Sequence, residues 1–186
     1  MGIDTTRQYT VAQVYEFPGD GCRYEVLDGV LQVTPLARRR HQRVVLQVAY
    51  RLLQWTEQHG GTVYPGVNVD LDDRTHLEPD VAYSRSEDTS GLAFTEPPDL
   101  IVEVSSPSTK HFDRGPKKDR YALRGAAGFW FVDLDADVVE QYVLSADGPQ
   151  EPPSVHRRGT TFTSALFSAL ILDVDDLLGP PELWSR

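Results

Sequence analysis

Leu100-Ile101-Val102-Glu103-Val104 is an almost unbroken aliphatic run with a single carboxylate set inside it. A run of this kind suits a strand buried on both faces, so the chain must supply a covering layer on each side of a sheet. Glu103 constrains the fold further, because an ionised carboxylate in such a strand is costly unless a cation neutralises it. Asp80 poses the same problem at the start of the shorter run Val81-Ala82-Tyr83. Two carboxylates side by side repel each other, and a bound divalent cation is the simplest remedy. Residues 78–108, which carry both, are the stretch around which the chain is organised.

The flanking sequence supplies the layers. Residues 1–20 read as a lead-in with one short helix over residues 11–15, capped by Thr10. Asp28-Gly29 between Tyr24-Glu25-Val26-Leu27 and Val30-Leu31-Gln32-Val33 predicts a tight hairpin, because both turn residues tolerate positive φ. Over residues 37–59, His41, Val45, Val48, Leu52 and Trp55 recur at spacings of three and four, which predicts a helix with these on its inner face, ended by Gly60-Gly61. His41 is the polar member of that face, either a core-edge histidine or a group turned to a site. Residues 62–71 read as one strand interrupted at Pro65-Gly66, residues 72–75 as a turn and residues 84–98 as a surface loop. Residues 113–124 read as the second helix, with Asp113 as N-cap and Pro116 in the first turn, where its missing N–H does no harm.

Phe129-Trp130-Phe131-Val132-Asp133 is a second buried strand, with residues 138–144 as its hairpin partner. Beyond it come a loop rich in Pro and Gly, an edge hairpin over residues 155–163, an apolar stretch of ambiguous type over 166–172 and a short helix over 173–178. The expected architecture is α/β (α+β): one domain over residues 1–186, with a core over 10–145 and a C-terminal extension over 146–186. Its strongly curved mixed sheet is flanked by two main helices.

Composition sets outer bounds. At 186 residues, 40% hydrophobic and 25% charged, the chain suits one domain with a substantial core. No apolar run approaches the roughly 20 residues that span a bilayer, and the N-terminus lacks a basic region followed by a hydrophobic one. With a lone Cys22, which excludes an internal disulfide, this predicts a cytoplasmic protein with no membrane partner. The absence of a Cys/His cluster argues against structural zinc. A net charge of −10 argues against broad nucleic-acid binding. The positive charge is nevertheless grouped, at Arg38-Arg39-Arg40 with Arg43, at Lys110 to Arg120, and at His156-Arg157-Arg158. Each group is either solvated surface or a phosphate contact.

Pro79-Asp80, a spacer and Glu103-Val104-Ser105 resemble the PD-(D/E)XK signature of restriction-endonuclease-like nucleases. The surrounding text is more specific. Tyr24-Glu25-Val26-Leu27-Asp28-Gly29, His41, Glu78-Pro79-Asp80-Val81 and Pro98-Asp99-Leu100-Ile101-Val102-Glu103-Val104-Ser105-Ser106-Pro107-Ser108 are followed by Asp113, Lys117 and Tyr121 at intervals of four, then Gly128-Phe129-Trp130-Phe131-Val132-Asp133. This ordered set resembles a large bacterial family of restriction-endonuclease-like proteins long described as a domain of unknown function, over residues 10–145. The resemblance implies a restriction-endonuclease-like core and hydrolysis of phosphodiester bonds in DNA. Ser105 stands where the signature has lysine. The resemblance implies that the lysine has moved to the following helix, where Lys117 occupies the matching position.

The chemistry asks for the same groups. In-line phosphodiester cleavage needs a cation that holds a non-bridging oxygen and acidifies a bound water. Mg²⁺, or Mn²⁺ in its place, takes oxygen ligands, which Asp80, Glu103, the backbone carbonyl of Val104 and Glu25 can supply. Lys117 is the candidate for stabilising developing charge, while Tyr121, one turn on, packs or orients. His41, Arg38, Arg40, Arg43 and Tyr121 are the candidate substrate contacts, the arginines through phosphate rather than bases.

Three other readings stand beside a Mg²⁺-dependent endonuclease. The carboxylates can instead be structural ion pairs, in which case the fold is a catalytically inactive module binding nucleic acid or protein. A two-carboxylate glycosidase ranks below it, because no aromatic sugar platform accompanies the acids. A serine hydrolase lacks its G-x-S-x-G elbow, and Ser105, Ser106 and Ser108 are better read as satisfying backbone groups where the strand ends. A homodimer would suit double-strand cleavage.

Overall fold

A computed structural model describes residues 6–86, 90–106 and 110–181. Pro107 and Ser108 of the strand-end motif lie outside them, as do residues 1–5 and part of the predicted surface loop. In chain order, helix α1 (Val11–Val14) precedes the hairpin β1 (Arg23–Leu27) and β2 (Val30–Thr34), and the long helix α2 (Arg39–His59) follows. Then come β3 (Thr62–Pro65), β4 (Val69–Asp72), β5 (Thr75–Leu77), β6 (Val81–Ser84) and β7 (Leu100–Val104). Helix α3 (residues 110–123) leads to β8 (Gly128–Asp133), β9 (Val138–Ser145), β10 (Gly148–Pro149), β11 (Ser154–Arg157), β12 (Thr161–Ser164), β13 (Phe167–Asp173) and α4 (Val174–Leu178).

The predicted central strand is β7, buried at every residue. It pairs antiparallel with β6 and parallel with β8 in a seven-stranded sheet ordered β10-β9-β8-β7-β6-β3, with β11 also on β9. Strand alternation sends its side chains to two different layers. Leu100, Val102 and Val104 share a core with Val44, Val48 and Leu52 of α2, whereas Ile101 lies with Phe129, Phe131 and Tyr121 on the α3 side. Glu103, two residues after Ile101, therefore points toward α3. The predicted mixed sheet between two main helices is present, and a continuous apolar strand is what this arrangement requires.

A second, four-stranded antiparallel sheet runs β2-β1-β5-β4. Its hairpin turns at Asp28 (φ 53) and Gly29 (φ 86), both left-handed, as the Asp-Gly pair predicts. Residues 62–71 are not one interrupted strand. β3 joins β6 in the large sheet and β4 joins β5 in the small one, so Pro65-Gly66 is where the chain changes sheet. Thr75–Leu77, unpredicted as a strand, is the link between β4 and β1.

Both helices depart from expectation in detail. On α2 the buried positions are His41, Val44, Val48, Ala49, Leu52 and Thr56, with Val45 and Trp55 only half-buried on the flanks. α3 starts at Lys110, so Asp113 is inside it rather than its cap. Residues Asp113–Lys117 form a π-helical turn that contains Pro116. Proline has no N–H to donate to the preceding turn, and one widened turn accommodates it where a regular helix would kink.

The C-terminal extension is part of the core. β11 adds to β9, and β12 with β13, not residues 155–163, forms the hairpin. Asp173 caps α4, accepting from the N–H groups of Asp175 and Asp176. Phe162, Phe167, Leu172, Val174, Leu177 and Leu178 join the same core as β7 and α2. Phe167→Ala is thus expected to cost about 3–5 kcal/mol in urea denaturation, and a loss under about 1 kcal/mol would mark the extension as an appendage. Among the described residues no helix is long and apolar enough to cross a membrane.

Candidate active site

The two sheets and α3 meet around Lys117. β1 alternates, so Arg23, Glu25 and Leu27 face inward on one side while Tyr24 and Val26 build a separate small core. Glu25 approaches from the small sheet, Glu103 from the large one, and Asp113 lies one helical turn before Lys117. The Lys117 Nζ is 2.7 Å from Glu25 Oε1, 3.3 Å from Glu103 Oε1 and 2.8 Å from Asp113 Oδ1, the last as an ion pair without hydrogen-bond alignment. Lys117 is only 1% exposed. Burial alone would lower its pKa, but the charges of Glu103, Glu25 and Asp113 outweigh it and hold the ammonium well above the usual lysine range. Burial pushes Glu103 well above the ordinary carboxylate range, with Lys117 pulling it back and Asp113, Asp80 and Glu25 adding to the rise. Glu25 is likewise raised by burial, against the pull of Lys117 and Arg23, and it also accepts the backbone N–H of Glu78 at 2.8 Å.

Asp80 sits beside this group, just before β6, and its environment is the reverse. Oδ1 accepts from Arg23 Nη2 at 2.9 Å, while Oδ2 accepts the Val104 backbone N–H at 2.8 Å and lies 3.1 Å from His41 Nε2. Burial works to raise this carboxyl, but the His41 hydrogen bond, the Arg23 charge and the Val104 N–H hold it down at about 2. A depressed carboxyl stabilises the fold above its ordinary pKa, and that contribution, about 2 kcal/mol, is lost as pH falls from about 4 toward 2. Arg23→Met is expected to move the Asp80 titration upward in carbon-detected NMR and to narrow that acid-side loss. An unmoved midpoint would mean that Arg23 does not hold Asp80.

An open cavity of about 470 Å³ leads to this cluster, lined among others by Arg23, Glu25, Arg38, His41, Asp80 and Lys117. Val104 also lines it. Of the sequence-predicted residues, the structure therefore brings Glu25, Asp80, Glu103, Val104, Lys117, His41 and Arg38 together. Three others it does not. Tyr121 is fully buried beneath the site, in the core with Phe129, so it packs and cannot touch substrate. Arg40 donates to the Leu134 carbonyl at 2.6 Å and pairs with Asp137, which commits it to the β8–β9 turn. Arg43 is half-buried on α2, away from the cavity lining. Lys118, which helical periodicity places on an exposed face with Arg114, is instead buried against the Tyr142 ring and paired with Glu151 of the extension.

Sequence reading missed Arg23 and the site role of Asp113. The signal for Arg23 is its position two residues before Glu25 on a strand, which places both on one face. Asp113 reads as a cap only if the helix begins there, and Lys110–Phe112, already helical, place it inside instead. Ser105 does what a strand-end serine is expected to do, its Oγ accepting the Leu134 N–H at 2.9 Å. Among the described residues no three His, Cys, Asp or Glu side chains stand as a ready-made ligand cluster, since the ammonium of Lys117 occupies the space between Glu25, Glu103 and Asp113.

The fold has a solved counterpart. The crystal structure of a putative nuclease belonging to DUF820 from Anabaena variabilis ATCC 29413 superposes with a TM-score of 0.75 at 18% identity, over 91% of this chain and 97% of that one. At that identity the likeness is one of fold. None of the curated proteins matches the chain. The family described as “Uma2: Putative restriction endonuclease” matches residues 11–175, and the chain belongs to that family, with a restriction-endonuclease-like fold.

Proposed function

We infer that the chain is a divalent-metal-dependent DNA endonuclease, with Asp80, Glu103 and Lys117 as its catalytic residues. The observation that carries this reading is a lysine 1% exposed at the end of an open cavity, held within 3.3 Å of carboxylates from two sheets and its own helix. A structural lysine needs one partner, and three partners leave the group over-supplied with negative charge. Among the described residues, the permanent cations that Asp80, Glu25, Glu103 and Asp113 face are two, Lys117 and Arg23. That excess, made of hard oxygen donors, fits a divalent cation such as Mg²⁺ or Mn²⁺. Asp80, Glu103, the Val104 carbonyl and Glu25 would hold it, and when bound it would supply a polarised phosphate oxygen and a more acidic water.

The chain's own residues do the rest. Arg38, exposed at the cavity rim, contacts backbone phosphate and positions the strand without reading bases. Glu25 and Asp113 keep Lys117 charged and fixed, so that its Nζ can meet the negative charge that grows on the phosphate in the transition state. Arg23 and His41 keep Asp80 ionised and oriented. A second reading, an inactive nuclease fold that binds nucleic acid or protein, draws on the same ion pairs, since they already satisfy Lys117 without a substrate.

A plasmid-nicking assay with Mg²⁺, with Mn²⁺ and with EDTA separates the two. The endonuclease reading expects open-circular product with either cation and none with EDTA. Retarded DNA with no nicking under any condition would favour the inactive module.

A further inference from the structure

The outer face of α2 carries a pattern that neither the core nor the candidate site uses. Arg39, Arg43, Leu46, Tyr50, Leu53 and Glu57 follow one another at alternating spacings of four and three, which keeps them on one side of the helix. That side is opposite the buried positions His41, Val44, Val48, Leu52 and Thr56. Leu46 is 65% exposed, and Tyr50 and Leu53 are each 51% exposed. Single exposed apolar side chains need no explanation, but three aligned along two turns of one helix form a continuous strip.

The strip has a two-fold character of its own. It is centred on position 48: Leu46 and Tyr50 lie two residues to either side, Arg43 and Leu53 five, Arg39 and Glu57 nine. A second α2 laid antiparallel across it about a two-fold axis sets Leu46 against Tyr50 and the aliphatic stem of Arg43 over Leu53. The same operation sets the guanidinium of Arg39 against the carboxylate of Glu57, once at each end. A parallel pairing would instead oppose Arg39 to Arg39 and Glu57 to Glu57, which like-charge repulsion disfavours. We propose that this face of α2 is a homodimer seam, with a second copy of the chain as its occupant. His41 lies seven residues from the centre, so the two cavities sit at opposite ends of the seam, about 20 Å apart along the paired helices.

The test is independent of activity. Sedimentation equilibrium across the micromolar range should give the wild type a mass twice the 20.8 kDa of the chain. The double variant L46E/L53E should sediment as a single chain with an unchanged circular dichroism spectrum, since both side chains are exposed, and its melting temperature should no longer depend on protein concentration. R39E alone and E57R alone should each weaken the dimer by about tenfold or more, and R39E/E57R together should restore it, because each swapped pair is again complementary. A wild type that stays monomeric throughout overturns the proposal and leaves the strip to another partner. An L46E/L53E variant that stays dimeric places the interface elsewhere, and a double swap that fails to restore association overturns the antiparallel register.

Discussion

Lys117→Ala is expected to lower stability by about 3–5 kcal/mol at pH 8, because it leaves buried carboxylates without their cation. Glu25, Glu103 and Asp113 lie within 3.3 Å of the ammonium that is removed. The pH dependence gives the effect its signature. Burial already pushes Glu25 and Glu103 up, and Lys117 is the largest influence holding them down. Without it their pKa values rise further, so the folded variant binds protons that the unfolded chain does not. A raised carboxyl destabilises the fold as pH climbs through and beyond its unfolded value, and protonation removes that penalty. The deficit of Lys117→Ala should therefore shrink between pH 8 and pH 5 in parallel urea denaturations. In the wild type the Lys117 contribution persists across this range, since a lysine raised in the fold loses its contribution only as pH climbs through its folded pKa. Lys118→Ala should cost less, about 1–2 kcal/mol from the lost contact with the Tyr142 ring, and show no such slope, because its partner Glu151 is half exposed. A small, pH-independent deficit for Lys117→Ala would mean that the three carboxylates are not charged around it.

Glu103→Gln should separate stability from activity. The amide keeps the shape of the side chain and removes a carboxyl that burial disfavours in its charged form. Lys117 keeps Glu25 and Asp113. The melting temperature at pH 7 should rise, by about 2–4 °C for each kcal/mol gained, while cleavage falls by about 100-fold or more, some 2.7 kcal/mol of transition-state stabilisation. Stabilisation with loss of activity is the mark of a group held against its own preference for function. A variant that loses stability and keeps activity would assign Glu103 to the fold instead.

How much of this was legible before the structure depends on the range of the interactions. β7 was readable because a strand covered on both faces needs apolar residues at every position, and the Asp28-Gly29 hairpin because its turn is set by two adjacent residues. Asp80, Glu103, Glu25 and Lys117 were each readable as candidates, the first two from the cost of placing charge in apolar runs. Their convergence was not, because it depends on two sheets meeting, and nothing local to residues 62–71 shows that the chain changes sheet at Pro65-Gly66. The partners of Lys118 and Arg40 are hidden for the same reason. Each is a basic residue on a helix by its own sequence, and each is claimed by a partner distant in the chain, Glu151 for one and Leu134 with Asp137 for the other. The π-turn hides in the sequence too. Pro116 signals a disturbance, but whether the helix starts after it or widens around it is decided by the burial of Asp113 and Lys117.

The buried ammonium of Lys117 is proposed to serve phosphodiester cleavage. The most direct measurement is single-turnover cleavage of a short DNA duplex under saturating Mg²⁺, comparing wild type with Lys117→Ala at pH 7. The expected result is metal-dependent cleavage by the wild type and a rate lower by about 10²–10³ in the variant, the effect of removing a charge-stabilising group from a transition state, with duplex binding retained through Arg38. Equal rates for the two proteins, or a wild type that cleaves as fast in EDTA as in Mg²⁺, would contradict it.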